Sequence, residues 1–268
     1  MANVSVILGG DRTIGLEAAK YMPKEKIIVL SGRAVEALQA AVEELRARGY
    51  TVFAKYCDVS NRASVRELVQ FSCQLGNVKN VIAAEDFTRK AAPIEIVKGN
   101  ALGTVHINQE FSKVMTAGGS IINVSSYEGC DLMPWDIPHK NYPLADADEG
   151  LFLQAFLKKI EKIKEEDKRK AMAYALSKNF VVWYAKKSAF VYGELGIRVV
   201  SVSLGLIDSE GDTVEEYRLA SAEKRAGKPA EIGYLLATVA DERNGYLTGV
   251  DIVCDGGSMT RMKEFQKK

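Results

Sequence analysis

The fold reading turns on the stretch Val4-Ser5-Val6-Ile7-Leu8-Gly9-Gly10-Asp11-Arg12-Thr13-Ile14-Gly15. Val4 to Leu8 is a short apolar run that reads as a buried strand. The glycine-rich turn follows, and a helical pattern then runs to Met22, where Pro23 stops it. Such a turn lets the backbone approach a pyrophosphate, while the helix N-terminus supplies amide donors and the positive end of its dipole. The loop residues Gly9, Asp11, Arg12, Thr13 and Ile14 are therefore candidates for phosphate binding. The glycines stand at 9, 10 and 15, so the spacing is not the usual G-x-G-x-x-G. A tight turn with no ligand is the alternative.

Outward from this unit the pattern repeats. Further strands are expected at Ile27–Leu30, Thr51–Tyr56, Asn80–Ala84, Gly118–Ser126, Ile197–Ser203 and Val250–Cys254. Between them lie helical patterns at Ala34–Arg48, Arg62–Leu75 (with Ser60 as its cap), Ile94–Met115, Ala171–Glu194 and Glu231–Ala240. This alternation implies an α/β fold, a three-layer, doubly wound parallel sheet of about seven strands in a single domain spanning 1–268. The second strand ends in Gly32-Arg33, where NAD-specific sites carry an acidic residue. Arg12 and Arg33 can converge on one phosphate, which favours NADP(H), with NAD(H) as the alternative. Asp58 could accept from an adenine amino group while Val59 packs on the ring; a turn-stabilising Asp is the other reading.

At 268 residues and 47% hydrophobic, the chain can bury one sizeable core. Its 36 basic and 35 acidic residues leave a net charge of +1, which gives no support for a nucleic-acid or membrane-surface partner. The N-terminus enters a strand without a signal-peptide layout, and no apolar run reaches membrane-spanning length. The four cysteines have no metal-type spacing, so a reducing cytoplasm is expected and no metal site. Only two histidines are present: His106 reads as a packed helix residue and His139 as an exposed one without a role.

Tyr174 and Lys178 stand four apart in a helical pattern, so phenol and ammonium share one helix face. A neighbouring ammonium lowers a phenol pKa, and a phenol so tuned can exchange the proton that accompanies hydride transfer at a carbonyl. A core Tyr beside a solvated Lys is the competing reading. The strand ending in Ser125-Ser126 brings a hydroxyl to the carboxyl edge of the sheet, where ligands bind in such folds.

Taken together, the Gly9 loop, Cys57-Asp58-Val59, Asn100-Ala101-Leu102-Gly103-Thr104, Ile122-Asn123-Val124-Ser125-Ser126, Tyr174-x-x-x-Lys178, Ser203-Leu204-Gly205-Leu206-Ile207 and Asp255-Gly256-Gly257 resemble the short-chain dehydrogenase/reductase family from Val4 to Gly257. The resemblance implies a Rossmann-type fold and a catalytic set of Ser126, Tyr174, Lys178 and Asn100. Ser126 is chosen over Ser125 because Gly129 follows three places on. In that scheme Ser126 holds the substrate oxygen, and Tyr174 is acid in reduction and base in oxidation. Lys178 lowers the Tyr174 pKa and binds the nicotinamide ribose, and Asn100 positions a relay water. Ala83 and Ala84 border the cofactor, and the Ile207 amide meets the carboxamide. The implied activity is NADP(H)-dependent interconversion of a ketone and a secondary alcohol, on a cyclic, steroid-like or acyl-thioester substrate. A homodimer or homotetramer is implied, with the long helix as a common dimer face.

The chain departs from the family at Thr13 (for a glycine), Ala83-Ala84-Glu85 (for Asn-Ala-Gly) and Leu204 (for proline). A noncatalytic or cofactor-binding subunit partnering an active homologue is therefore the rival reading. Ser126 and Tyr174 are 48 residues apart, which places an insertion at about 130–169. Its Met133–His139 part reads as a loop. Its 148–168 part reads as a helix with an apolar face of Leu151, Phe152, Ala155, Phe156 and Ile160, to be buried against the domain or a twin subunit. This resembles the hydroxysteroid dehydrogenase/carbonyl reductase subgroup. Residues 208–228 are expected to form a substrate loop with a helix at 213–225.

Overall fold

The computed structural model describes residues 1–208 and 221–260. Strands β1 (Asn3–Leu8), β2 (Ile27–Gly32), β3 (Thr51–Tyr56), β4 (Asn77–Ala83), β5 (Ser120–Ser126), β6 (Arg198–Leu204) and β7 (Asp251–Cys254) form one sheet in the order β3-β2-β1-β4-β5-β6-β7. Every pairing is parallel. β5 and β6 are buried at every position, since a parallel sheet is covered on both faces. The strand order reverses between β1 and β4, so the loops leaving those strands diverge and open a crevice at the carboxyl edge.

Helices α1 (Thr13–Lys20) and α2 (Val35–Ala47), with α9 (Pro229–Ala240), cover one face. The other face carries α3 (Arg62–Leu75), α5 (Gly103–Ser112) and α8 (Glu166–Gly193). Before α5 run α4 (Pro93–Val97) and a π-helical turn, Lys98–Leu102, so the expected long helix has a bulge at Asn100. The cap of α3 is Asn61 and not Ser60: its side chain accepts from the Ala63 amide. Ser60 is drawn instead to the Asp58 carboxylate.

Between β5 and α8 lie α6 (Leu144–Ala147) and α7 (Glu149–Ile160). The helix expected over 148–168 thus breaks after Ile160, and α8 already begins at Glu166. The apolar face of α7 is Phe152, Phe156 and Ile160, all fully buried, whereas Leu151 is half exposed. These side chains build a third core with Tyr142, Leu176, Phe180 and Tyr184. Tyr142 stacks on Phe156 at 5.6 Å and meets Phe180 edge-on at 5.1 Å, and its hydroxyl donates to Asn179 Oδ1 at 2.8 Å. Intrachain packing therefore covers this face of the segment. Not all the aromatics of α8 are core: Phe190 is 89% exposed. The expected helix at 213–225 falls mostly outside the described residues; residues 221–225 are turns and bends.

Phe156→Ala should remove about 3–5 kcal/mol of stability, as for a large aromatic deleted from a packed site. Denaturant unfolding of the variant checks this, and a change under about 1 kcal/mol would mean that the third core is not closed in solution.

Candidate functional site

Gly9 leaves β1 with φ +77°, and a Cβ there would stand 2.6 Å from the Ala84 carbonyl oxygen at the end of β4. The two strand ends approach this closely only because the residue is glycine. Helix α1 starts at Thr13 without a side-chain cap among the described residues, and its first turn, Thr13 and Ile14, lines the crevice. A groove of about 1280 Å³ runs from Arg12, Thr13 and Ile14 past Asp58 and Ala84 to Tyr174 and Leu206. The close-set glycine, the uncapped helix start and the groove fit a dinucleotide.

Asp11 serves the loop itself. Its Oδ2 accepts from the amides of Arg33 (3.0 Å) and Ala34 (2.9 Å), and a Cβ on Gly32 would lie 2.1 Å from its Oδ1. Arg12 and Arg33 do converge, but on a carboxylate of the chain. Their Nε atoms lie 3.8 and 3.4 Å from Glu85 Oε1, and the Arg33 guanidinium sits 4.0 Å over the Phe87 ring. Glu85 is buried and neither of its oxygens is hydrogen-bonded. Burial, then the charge of Asp11, push its carboxyl up to about 7 against the pull of Arg12 and Arg33. Asp58 lines the groove, yet its Oδ1 already accepts from the Ser60 amide (3.0 Å) and hydroxyl (2.8 Å). The Val59 side chain is buried and its carbonyl lies 2.8 Å from Nδ1 of the buried His106. Ile207 bridges Gly227, and Leu206 rather than Ile207 lines the groove.

Deeper in the crevice, Ser126 at the end of β5 meets Tyr174 of α8, and the neighbouring Ser125 hydroxyl donates to the Lys178 carbonyl at 2.8 Å. The Ser126 hydroxyl adjoins the Tyr174 phenol and accepts from the Glu128 amide at 3.3 Å. Lys178 is almost fully buried, 5.4 Å from the Tyr174 ring centre and 3.4 Å from the Val124 carbonyl. A residue that was given no role, Asp86, faces both. Its Oδ1 is 2.9 Å from Lys178 Nζ, an ionic contact outside hydrogen-bond alignment, and its Oδ2 accepts from the Tyr174 hydroxyl at 3.4 Å. The Tyr174 pKa is consequently raised, not lowered. Burial is the largest cause and the Asp86 charge the next, outweighing the opposing Ser126 hydroxyl and Arg89.

Asn100 does not touch this group. Its Oδ1 accepts from the Phe87 amide (2.9 Å), and its Nδ2 donates to the Phe87 carbonyl (3.0 Å) and to Ser177 Oγ (3.3 Å). It thereby fixes the loop that carries Asp86. A void of about 10 Å³, bounded in part by Glu85, Asn100, Thr104 and Lys178, lies between Asn100 and the lysine.

Arg89 stands over the Tyr174 ring at 5.7 Å and pairs with Glu128. Beyond that pair lies an open apolar pocket of about 630 Å³, walled by Leu132, Ile163, Met172 and Ala175, with Lys168 and Asp131 also lining it. The sequence signal for Asp86 is its place beside Glu85, in an acidic pair that follows a buried central strand.

Because the folded-state pKa of Glu85 exceeds its unfolded value, the folded chain binds that proton more tightly. Its contribution is therefore present below about pH 4.5 and lost as pH rises toward about 7. Glu85→Gln should flatten that part of the stability-versus-pH curve. Identical slopes in the variant and the natural chain would place Glu85 in solvent.

Among the described residues no helix is long and apolar enough to cross a membrane, and no cluster of metal-ligating side chains is present. The family model described as short chain dehydrogenase matches residues 3–138, and one described as enoyl-(acyl carrier protein) reductase matches 163–259. The chain is 23% identical to the short-chain dehydrogenase/reductase bsc3 of Alternaria brassicicola, over 97% of each chain. It is 24% identical to an A-factor type gamma-butyrolactone 1'-reductase (1S-forming) of Streptomyces virginiae, over 95% of this chain and 94% of that one. A short-chain dehydrogenase of Burkholderia cenocepacia solved in complex with NADP shares the fold, with TM-score 0.76 and 19% identity over 95% of this chain and 97% of that one. With its sheet order, its crevice and its motifs matched in sequence along nearly the whole length, the chain belongs to the short-chain dehydrogenase/reductase family of NAD(P)-dependent oxidoreductases.

Proposed function

We propose that the chain interconverts a ketone and a secondary alcohol with NADP(H). The observation that carries this reading is that Tyr174, with Ser126 on one side and Lys178 on the other, lines a groove that adjoins an apolar pocket. The cofactor supplies or takes up the hydride. The Ser126 hydroxyl holds the substrate oxygen, and the Tyr174 phenol gives that oxygen its proton in reduction and takes it back in oxidation. The Lys178 ammonium would balance the phenolate left behind and bind the nicotinamide ribose. Asn100 contributes by holding the Phe87 loop, and the void beside it has about the room one water needs in a relay.

The first-turn amides at Thr13 and Ile14 and the close backbone at Gly9 would hold the pyrophosphate. Asp58 would serve the adenine, Ala83 and Ala84 the nicotinamide side, and the Ile207 amide its carboxamide. Arg12 and Arg33 touch Glu85 through Nε and keep part of each guanidinium exposed, which suits a 2′-phosphate. The apolar pocket favours a cyclic or otherwise hydrocarbon-rich ketone. The butyrolactone reductase named above, and a short stretch 34% identical to a 3-alpha-(or 20-beta)-hydroxysteroid dehydrogenase of Mycobacterium bovis, are in keeping with that class. The exposed Phe190, Val191 and Leu195 near the end of α8 support self-association.

A second reading, a binding subunit without turnover, is favoured by the engagement of Lys178 with Asp86. Tyr174→Phe separates the two. In the enzyme reading, ketone reduction falls by about a hundredfold or more while NADPH still quenches tryptophan fluorescence. A parent chain inert toward ketones, alcohols and acyl thioesters with either cofactor favours the subunit. Arg33→Ala should weaken NADPH binding by about tenfold and leave NADH little changed. Equal loss for both cofactors would remove the phosphate assignment.

A further inference from the structure

Resting on that reading, we propose that Asp86 is a positioning residue that sets the charge of the Tyr174–Lys178 pair, holding the phenol protonated so that the chain works as a carbonyl reductase at neutral pH. The argument is geometric. Lys178 is buried, and among the described residues its ammonium has a single carboxylate within ion-pair distance, Asp86 at 2.9 Å. The other oxygen of that carboxylate accepts from the Tyr174 hydroxyl at 3.4 Å. One carboxylate thus cancels the cation that would draw the phenol toward phenolate, and also accepts the hydrogen bond that only the protonated phenol can donate.

Every element around the phenol contributes to the balance. The loop after β4 presents Asp86 and Arg89, the end of β5 presents Ser126, the turn after it presents Glu128, and α8 presents Lys178. Arg89 is itself paired with Glu128, which limits its pull. Burial and this balance together keep the phenol protonated, in line with its raised pKa. Asp86 is held in place because Asn100 binds the amide and carbonyl of the next residue, Phe87.

The chemical consequence follows from the proton count. Reduction consumes one hydride, delivered by the cofactor to the carbonyl carbon, and one proton, passed from the phenol to the carbonyl oxygen; the phenolate regains its proton from water. Oxidation needs the phenolate first, to take the hydroxyl proton as the hydride leaves. A phenol held protonated is ready for the first direction and must ionise for the second, so oxidation should rise with pH well into the alkaline range.

The test is a titration of the cofactor-free protein labelled with ¹³Cζ-tyrosine, with the Tyr174 signal assigned by its loss in Tyr174→Phe. In the natural chain Tyr174 should stay protonated above the pH at which exposed tyrosines ionise. In Asp86→Asn its transition should fall by about one pH unit or more, and Asp86→Glu should restore it. In turnover, Asp86→Asn should move the alkaline limb of alcohol oxidation down by the same shift. The proposal is overturned if Tyr174 in the natural chain ionises with or below the exposed tyrosines, a result that needs no variant to fold. It is equally overturned if a folded Asp86→Asn titrates unchanged. Absence of turnover with any carbonyl would sink the functional reading, while the titration would still decide the role of Asp86.

Discussion

The structure depends on how closely two parallel strands can end beside each other. β1 and β4 are neighbours at the reversal of strand order, and their following loops must part to make the crevice. Gly9 on one side and Ala84 on the other meet with no room for a side chain. That contact fixes where α1 begins and which amides face outward. The same edge carries Ser126 one strand away, because β4 and β5 pair in register from Asn80–Ser120 to Ala83–Asn123.

The charged residues after β4 divide their work by direction. Glu85 meets Arg12 and Arg33, while Asp86 meets Lys178 and Tyr174. One dipeptide thus sets the charge of both ends of the groove. Arginine pairs are commonly matched to a phosphate; here they also balance a buried carboxylate that burial strongly disfavours in its charged form. Burial dominates at both sites, which is why the raised Glu85 and the raised Tyr174 arise side by side.

The segment between β5 and α8 is an integral part of the packing. Its aromatic cluster is shared with the helix that presents Tyr174 and Lys178, so the same side chains that bury α7 stiffen α8 around Phe180. At the start of α7 the segment is tied back across the molecule. Glu149 pairs with Arg62 at 2.8 Å and lies 3.2 Å from His106 Nε2. Leu132 and Ile163, at its two ends, form the far wall of the apolar pocket, so the packing that steadies the helix also shapes the space beyond Tyr174.

The sequence by itself determined the alternation of strands and helices, the parallel sheet and the glycine turn. Each rests on local periodicity or on the small size of one residue, and neither needs a distant partner to be read. Tyr174 and Lys178 were legible as a pair because four residues on a helix is a local distance. The charge state of that pair was not legible, since it depends on burial and then on Asp86, which is 88 residues from Tyr174 in sequence and meets it only in the folded chain. Asn100 was likewise visible as a residue but not as a clamp on Phe87, and the break after Ile160 came from packing that the apolar pattern of 148–168 did not reveal. Only tertiary structure could decide these points, because burial and counter-charge belong to neighbours in space, and periodicity records only neighbours along the chain.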